Sequence, residues 1–408
     1  MNILVVHDRS EVITEIRKVL SGSDLCLSRI DAAPDYVTAR DQLQAYVYDV
    51  MILDLTLPHI HGKGAPSHGV VENFLAELFS PTTMNVPGDL IGITRDVGAL
   101  ADISASIGPH LMAIIREDDA DGWKTLLLER LTYVEASRQA RLRSIYSHFD
   151  ADVAILVALD KELEPFHEIF ELEPIAAGAE TYAFTFNDRL DHVRRGVACA
   201  IGRPGTASAA ASTQSIITLH RPRVALMSGF CGGVEGKANL GDLVFFEQVF
   251  DWDAGKWKTD DAKDPHFFPR PEPISIRGSQ AHAVARRMRT EGLANAPSRL
   301  HRAKELSPKF EGSGEILLEA AGSGSSVVSD VDIRSQISAL NETIAAVDME
   351  SYGFYHACQH TLVKRPEMLC VKAVADFCDM NKQNKVHAAC CYLAAQVTSD
   401  IILHKWTF

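Results

Sequence analysis

The sequence predicts an α/β protein made of two successive domains, a doubly wound one followed by a larger one. Three observations carry this. The chain has 408 residues, more than one ordinary core accommodates, which suits a domain of about 150 residues and another of about 250. Short β-branched runs alternate with stretches of helical period at the start of the chain, and a second alternation opens at Asp152. Composition, 46% apolar and 23% charged, is that of a folded chain without a long disordered part.

In the first domain the runs Asn2–Val6, Leu25–Ile30, Asp49–Leu53, Leu90–Thr94 and His110–Ile115 read as strands. Helix-period segments such as Glu11–Leu20 lie between them, and repeated βα units imply a parallel sheet covered on both faces. From Gly122 to His148 the chain is rich in Leu, Arg, Glu and Ala and lacks proline and interior glycine. A helix is expected there, finishing the first domain and running into the second. The expected boundaries are 1–122 for the first domain, 123–149 for a helical linker and 150–408 for the second domain.

The second domain opens with Val153–Leu159 and continues with strands expected at His192–Ala200, Arg223–Ser228, Asp242–Val249, Glu315–Ala320, Thr343–Val347 and Met368–Val374. Helices are expected around Ala207–Leu219, Ser279–Gly292, Asp330–Leu340 and Val386–Leu403. Lys256–Arg277 is rich in proline and charge without periodicity, and reads as a long surface loop or lid. There is no internal repeat and no low-complexity tract.

Several function classes are disfavoured. No window approaches the roughly eighteen apolar residues of a membrane span, and Ile3–Val6 is broken by His7 and Asp8 before a signal peptide's apolar region is complete. A cytoplasmic protein without membrane association is expected. The eight cysteines form no Cys-x-x-Cys pair and read as reduced core residues. A net charge of −14 argues against non-specific nucleic-acid binding and requires any anionic substrate to find a local basic pocket.

Asp54 closes the apolar run Val50–Leu53 and is followed by Leu55–Pro58 and Gly62. A carboxylate at a strand C-terminus of a parallel sheet faces the site crevice. This segment resembles the response-regulator receiver family, a flavodoxin-like doubly wound fold whose phosphorylated aspartate occupies the same strand-Asp-x-x-x-Pro setting. The resemblance implies Asp54 as phosphorylation site, Asp8 with Asp54 as Mg²⁺ ligands, Thr94 as phosphate-sensing hydroxyl and Arg116 near the usual lysine. His7 stands where the family has a second acidic residue, which should weaken a hard oxygen-seeking cation. Two readings stay open: phosphoryl acceptance, or a domain kept for dimerisation or docking.

Four motifs in the second half also form an ordered set: Ala154–Glu162, the glycine turn Ser228–Gly233 followed by Gly241 and Asp242, Val347–Ser351, and Val371–Asp376. Together they resemble the purine nucleoside phosphorylase and methylthioadenosine nucleosidase superfamily, an α/β fold around a central twisted mixed sheet. Cleavage of a ribose–purine bond needs an acid for the departing base, a carboxylate that activates water and a group that holds the ribose hydroxyls. The resemblance implies Asp376 as the acid toward purine N7, Glu162 as the water-activating base, Glu350 on the 2′- and 3′-hydroxyls and Met349 against the sugar. Phe230, Cys231 and Gly232 belong to the base-and-ribose turn. Val327 stands where relatives stack an aromatic on the purine, and backbone near Val328 is expected to read the base edge.

Met227 and Phe230 occupy turn positions where a phosphorylase would carry arginine and a hydroxyl residue, and Leu159–Glu162 replaces a Gly-Asp-x-x-x-Arg phosphate cradle. Water is therefore the expected nucleophile, with no cofactor needed for hydrolysis; phosphorolysis is the alternative. Arg203, Lys256 and Lys258 are the candidate cations for a 5′-phosphate. The domain pairing resembles receiver-fused ATP nucleosidases of two-component-like anti-phage systems. That likeness implies an adenine nucleotide, ATP favoured, as substrate and a histidine kinase or phosphotransfer partner; the nucleosidase resemblance implies self-association. A purine nucleoside or methylthioadenosine nucleosidase, and a non-catalytic nucleotide-sensing module, remain as other readings.

Overall fold

The computed structural model describes residues 1–408 apart from 81–83, 96–110, 112, 118–121, 176–179, 260–264 and 380–383. These form two compact units, Met1–Ser144 and Ile145–Phe408. No described helix is long and apolar enough to cross a membrane.

In the first unit β1 (Asn2–Val6), β2 (Arg29–Ala33), β3 (Val50–Asp54), β4 (Asp89–Thr94) and β5 (Ala113–Arg116) pair in the order β2-β1-β3-β4-β5, all parallel. Its helices are α1 (Ser10–Ser21), α2 (Tyr36–Ala45), α3 (His68–Leu78) and α4 (Gly122–Ser144). Strand alternation sends Ile3 and Val5 to one face with Ile16 and Leu127, and Leu4 and Val6 to the other with Leu43 and Phe74. The order reverses between β1 and β3, so the crevice of this sheet opens beside Asp54.

Two expectations for this unit need correction. The second strand lies at Arg29–Ala33 rather than Leu25–Ile30, because register with β1 starts at Asn2↔Arg29, while Leu25 and Leu27 pack against the core from outside the sheet. The helix expected to finish this unit does so, but as part of Met1–Ser144 rather than as a separate linker over 123–149, since Trp123, Leu127, Leu131 and Val134 recur along one face and are buried in the β1 and β3 core. For the expected strand at His110–Ile115, His110 and Met112 lie outside the described residues, and the described strand is Ala113–Arg116.

The second unit is built on a ten-stranded mixed sheet. Its first members are β6 (Ala151–Val157), β7 (Glu173–Pro174), β8 (Thr181–Asn187), β9 (Val193–Ala200), β10 (Pro222–Gly233) and β11 (Leu243–Asp251). After the hairpin β12 (Gly255–Thr259) and β13 (Pro265–Pro269) come β14 (Ile274–Ser275), β15 (Ile316–Ser323), β16 (Ile344–Asp348) and β17 (Glu367–Asp376). Strand β10 is the hub, running parallel to β6 and β17 and meeting β16 antiparallel at Gly232 and Gly233. Helices α5 (Asp160–Ile169), α6 (Thr206–His220), α7 (Gln280–Glu291), α8 (Ala296–Leu306), α9 (Val331–Ala339), α10 (Ser351–Gln359) and α11 (His387–Asp400) complete the unit.

The segment expected as an unstructured loop or lid contains the β12–β13 hairpin, paired from Gly255↔Pro269 to Thr259↔Pro265. Its side chains are mostly exposed, so no apolar face imposes a period-two pattern. Strand β8 and helix α8 lie outside the expected elements. In β8 the alternating Phe184 and Phe186 are buried, and Phe184 fills the space over Gly196.

A close helix contact links this architecture to the site. A Cβ on Gly353 of α10 would lie 2.0 Å from the Thr206 carbonyl oxygen at the start of α6. Backbone cannot yield as a flexible side chain does, so Gly353→Ala is expected to cost about 1–3 kcal/mol of stability. A circular-dichroism melt of the full chain should show a midpoint lower by a few degrees, whereas an unchanged midpoint would mean that the helices separate without penalty.

Candidate active site

Glu162, Glu350 and Asp376 are delivered by different elements. The chain leaves β6, turns through Ala158 and Leu159, and enters α5, which places Glu162 in the first helical turn. There it folds back: Oε2 accepts from the Ala158 and Leu159 backbone N–H groups at 2.8 and 2.9 Å, and Oε1 accepts from Phe230 N–H at 3.1 Å. The last bond requires glycine at 229, where φ is +148° and a Cβ would stand 2.3 Å from Glu162 Oε1. Burial pushes the Glu162 carboxyl up to about 7, against the opposing influence of Lys372 and the Phe230 N–H.

Glu350 follows β16 and precedes α10, with Oε1 accepting from Gly205 N–H at 3.3 Å and Oε2 from Lys372 Nζ at 2.6 Å. Lys372 projects from β17, only 1% exposed, and also donates to Asp348 Oδ2 at 2.7 Å. Burial alone would lower the ammonium's pKa, yet Asp348 and Glu350 hold it well above its ordinary value. Asp348 in turn accepts from Ser351 N–H at 3.0 Å and Ser351 Oγ at 2.7 Å, which fixes the chain around Glu350.

Asp376 closes β17 and accepts from Cys378 N–H at 2.8 Å. A register shift between Cys231 and Gly232 sets Gly232 opposite Asp376. Glycine at 232 keeps this corner open, because a Cβ there would approach Cys378 Sγ to 2.1 Å and Asp376 Oδ1 to 3.2 Å.

The carboxylates converge on one cavity of about 240 Å³ lined by Glu162, Glu350 and Asp376 together with Phe230, Met349 and Val328. Cys231, Gly232 and Val327 also line it, Val327 as an exposed residue at 63%. The cations expected at the substrate do not join them. Arg203 is exposed beside Pro204, which does line the cavity, and Lys256 and Lys258 are exposed on β12. Lys258 Nζ lies over the Phe268 ring instead, 4.9 Å from its centroid.

Lys372, Asp348, Lys161 and His387 were given no role from sequence. The signal for Lys372 was a lysine inside the apolar run Val371–Ala375, a position that demands a buried counter-charge. His387 stacks on Phe230 with centroids 4.3 Å apart, and Lys161 donates to His387 Nδ1 at 3.1 Å.

The first unit carries a separate cluster at its crevice. Asp54, 4% exposed, accepts from Thr56 N–H and Oγ1 at 3.0 Å each, and its Oδ2 lies 3.2 Å from His7 Nδ1. Burial raises the Asp54 pKa, and His7 works against that rise. His7 Nδ1 also lies 3.3 Å from Asp8 Oδ1, and Nε2 lies 3.7 Å from Glu117 Oε2. Thr94 is buried at the end of β4. Arg116 was expected to reach this site, but it is exposed, and the buried neighbour Glu117 points inward, held by Arg9 and by Arg95 at 2.7 Å.

His7, Asp8 and Asp54 could together offer a cation one imidazole nitrogen and two carboxylates, their ligand atoms within 4.8 Å of one another. Mg²⁺ prefers an all-oxygen octahedral shell, so this set fits it poorly, and an imidazole suits softer divalent ions better. His7→Asp is expected to strengthen Mg²⁺ binding about tenfold or more by adding an anionic oxygen ligand. Calorimetric titration of both full-length proteins checks this; parent and variant binding Mg²⁺ equally would remove His7 as the limiting ligand.

Residues 152–404 match the model of the phosphorylase superfamily. Over 97% of both chains, the sequence is 26% identical to the uncharacterized protein y4jS of Sinorhizobium fredii (strain NBRC 101917 / NGR234). It is 24% identical over 269 residues to ATP nucleosidase Cap17 of Escherichia coli (strain KTE188), covering 62% of this chain and 51% of that protein. The chain thus spans about half the length of that relative. Solved structures that it resembles include the 5′-methylthioadenosine/S-adenosylhomocysteine nucleosidase from Neisseria meningitidis, at TM-score 0.44, 18% identity, and coverage of 62% of this chain and 98% of that one. Futalosine hydrolase of Helicobacter pylori strain 26695 gives a TM-score of 0.46 at 16% identity, with coverage of 62% and 97%. The family match takes in more than half of the sequence and includes Glu162, Glu350 and Asp376, and the chain belongs to the phosphorylase superfamily.

Proposed function

We propose that the second unit hydrolyses the N-glycosidic bond of an adenine nucleotide, ATP favoured, giving adenine and the ribose phosphate, under control of the first unit in anti-phage defence. The observation that carries the hydrolytic reading is the convergence of Glu162, Glu350 and Asp376 on one cavity. Similarity to ATP nucleosidase Cap17 supports the choice of nucleotide.

Each carboxylate has a distinct task. A carboxylate accepts roughly four hydrogen bonds. Glu350 gives one oxygen to Gly205 N–H and the other to Lys372, which leaves acceptor capacity for the two hydroxyls of a ribose cis-diol. As the C1′–N9 bond breaks, its electron pair moves into the purine and Asp376 delivers a proton to N7. Glu162 takes a proton from water as the water oxygen bonds to C1′. Among the described residues lining the cavity none is a cation, so inorganic phosphate meets no counter-charge on its walls and water is the favoured nucleophile. Control is assigned to Asp54 and its surroundings, with a histidine kinase or phosphotransfer protein as the partner and a homo-oligomer as the working state.

The test is chromatographic detection of free adenine from ATP incubated with the full chain. Asp376→Asn should slow release by about 10²- to 10⁴-fold. Adenine released from methylthioadenosine and from no nucleotide would move the assignment to a nucleoside-salvage enzyme, and nucleotide binding without any release would favour a sensing module.

A pH profile tests Glu162 separately. The base must be ionised, and its carboxyl is pushed up to about 7, so kcat/KM should rise tenfold per pH unit below that value and level off above it. Glu162→Gln should remove that limb along with most of the activity. A rate already flat between pH 5 and 7 would assign water activation to another group.

A further inference from the structure

A nucleotide carries two to four negative charges at its 5′ end, and the described residues of the cavity walls include no cation to meet them. The cations that the sequence suggests for that task, Arg203, Lys256 and Lys258, do not line the cavity. A second hollow of about 390 Å³, lined by Lys161, His387, Cys391 and Tyr392 among others, lies beyond Phe230. Phe230 joins the two: it lines the cavity, its ring stacks on His387 at 4.3 Å, and Lys161 Nζ lies 4.6 Å from its centroid.

We propose that Lys161, positioned by His387, binds the 5′-phosphate oxygens of the nucleotide, making this second hollow the phosphate subsite of the cavity. The assignment rests on the nucleosidase reading above, which sets its polarity. If Asp376 faces the purine, the 5′ carbon lies across the ribose, away from Asp376 and toward the wall formed by Phe230. A rival pair of lysines, Lys309 and Lys385, shares a third hollow with Asp376 and therefore stands at the purine end.

The chemistry of this corner suits an anion. Lys161 donates one of its three N–H groups to His387 Nδ1 at 3.1 Å, which fixes the ammonium and leaves two N–H donors on it for a phosphate oxygen. His387 is 9% exposed, its ring held by Phe230. Glu164 and Glu168 line the same hollow, but they follow Lys161 by three and seven residues, one and two turns along α5. The basic end is accordingly the one beside Phe230. Tyr392 lines the same hollow, and beside it the Lys161 ammonium favours a charged 5′ group over an apolar one.

The test compares ATP, AMP and adenosine on the full-length parent, Lys161→Ala and Lys161→Arg, by adenine release and by calorimetric binding. Lys161→Ala should raise KM and Kd for ATP about tenfold or more, as loss of a charge-assisted hydrogen bond does. Values for adenosine should stay within about twofold, and arginine should restore most of the ATP affinity. Equal weakening of ATP and adenosine, or unchanged ATP binding, overturns the subsite. Inorganic phosphate accelerating adenosine cleavage in the parent but not in Lys161→Ala also overturns it, since the pair would then serve a phosphate nucleophile. If the parent releases no adenine from any substrate the hydrolase reading fails, while the ratio of ATP to adenosine binding still decides the subsite.

Discussion

One buried cation organises the second unit around its cavity. Removing an ammonium from water costs several kcal/mol, and each carboxylate beside it carries a similar penalty. Lys372, Asp348 and Glu350 are stable inside the protein only as a set, since losing one partner of a buried pair costs about 3–5 kcal/mol. Through these contacts the middle strand β17 is tied to the end of β16 and the start of α10. Glu350 then reaches Gly205 N–H, which brings the entry to α6 into the same network. The close approach of Gly353 to Thr206 belongs to this constraint, because a helix pushed away there would carry Gly205 away from Glu350.

Within that frame the environment of Glu162 sets its character. Three backbone N–H groups favour its charged form, and Lys372 favours it too, yet exclusion of water prevails and leaves the carboxyl near neutrality in its affinity for protons. A fully exposed glutamate would be ionised but weakly basic, and an apolar pocket without donors would leave it protonated and inert. The strained geometry at Gly229 is what admits the third donor. A turn of small residues in the sequence is thus a requirement of the Glu162 hydrogen bonds, and only secondarily one of the strand.

The sequence was most readable where burial imposes a pattern. Strands such as Ile3–Val6 and Val50–Leu53 are apolar because both faces are covered, and carboxylates closing apolar runs, Asp54 and Asp376, lie at strand ends as their neighbours imply. Failures arose where a single position decides the outcome. Arg116 and Glu117 differ by one residue, and a slip of one position turns a strand side chain to the opposite face, so no propensity distinguishes which of them enters the crevice. The exposed hairpin β12–β13 lacked any pattern to detect. By contrast, Phe184 and Phe186 in β8 and the lysine inside Val371–Ala375 were legible signals of buried strand and buried ion pair.

Charge placement separates the two units more sharply than their folds do. In the first, His7 lies among Asp8, Asp54 and Glu117, while Arg9 and Arg95 engage Glu117 from outside. Positive groups supplied by the protein itself therefore take up much of the negative charge that a bound divalent ion would otherwise neutralise. In the second unit the reverse holds: Lys372 is engaged by Asp348 and Glu350, and among the described residues the cavity wall offers acids without an accompanying cation. With a chain charge of −14, long-range attraction cannot deliver a polyanion to that wall, so recognition has to come from short-range donors. Those donors must stand close enough to act through contact yet far enough from Glu162 not to depress its basicity, since an adjacent cation favours ionisation and weakens a base. On the proposal above Lys161 answers both requirements, since it stands 4.6 Å from the centroid of the Phe230 ring rather than on the cavity wall itself.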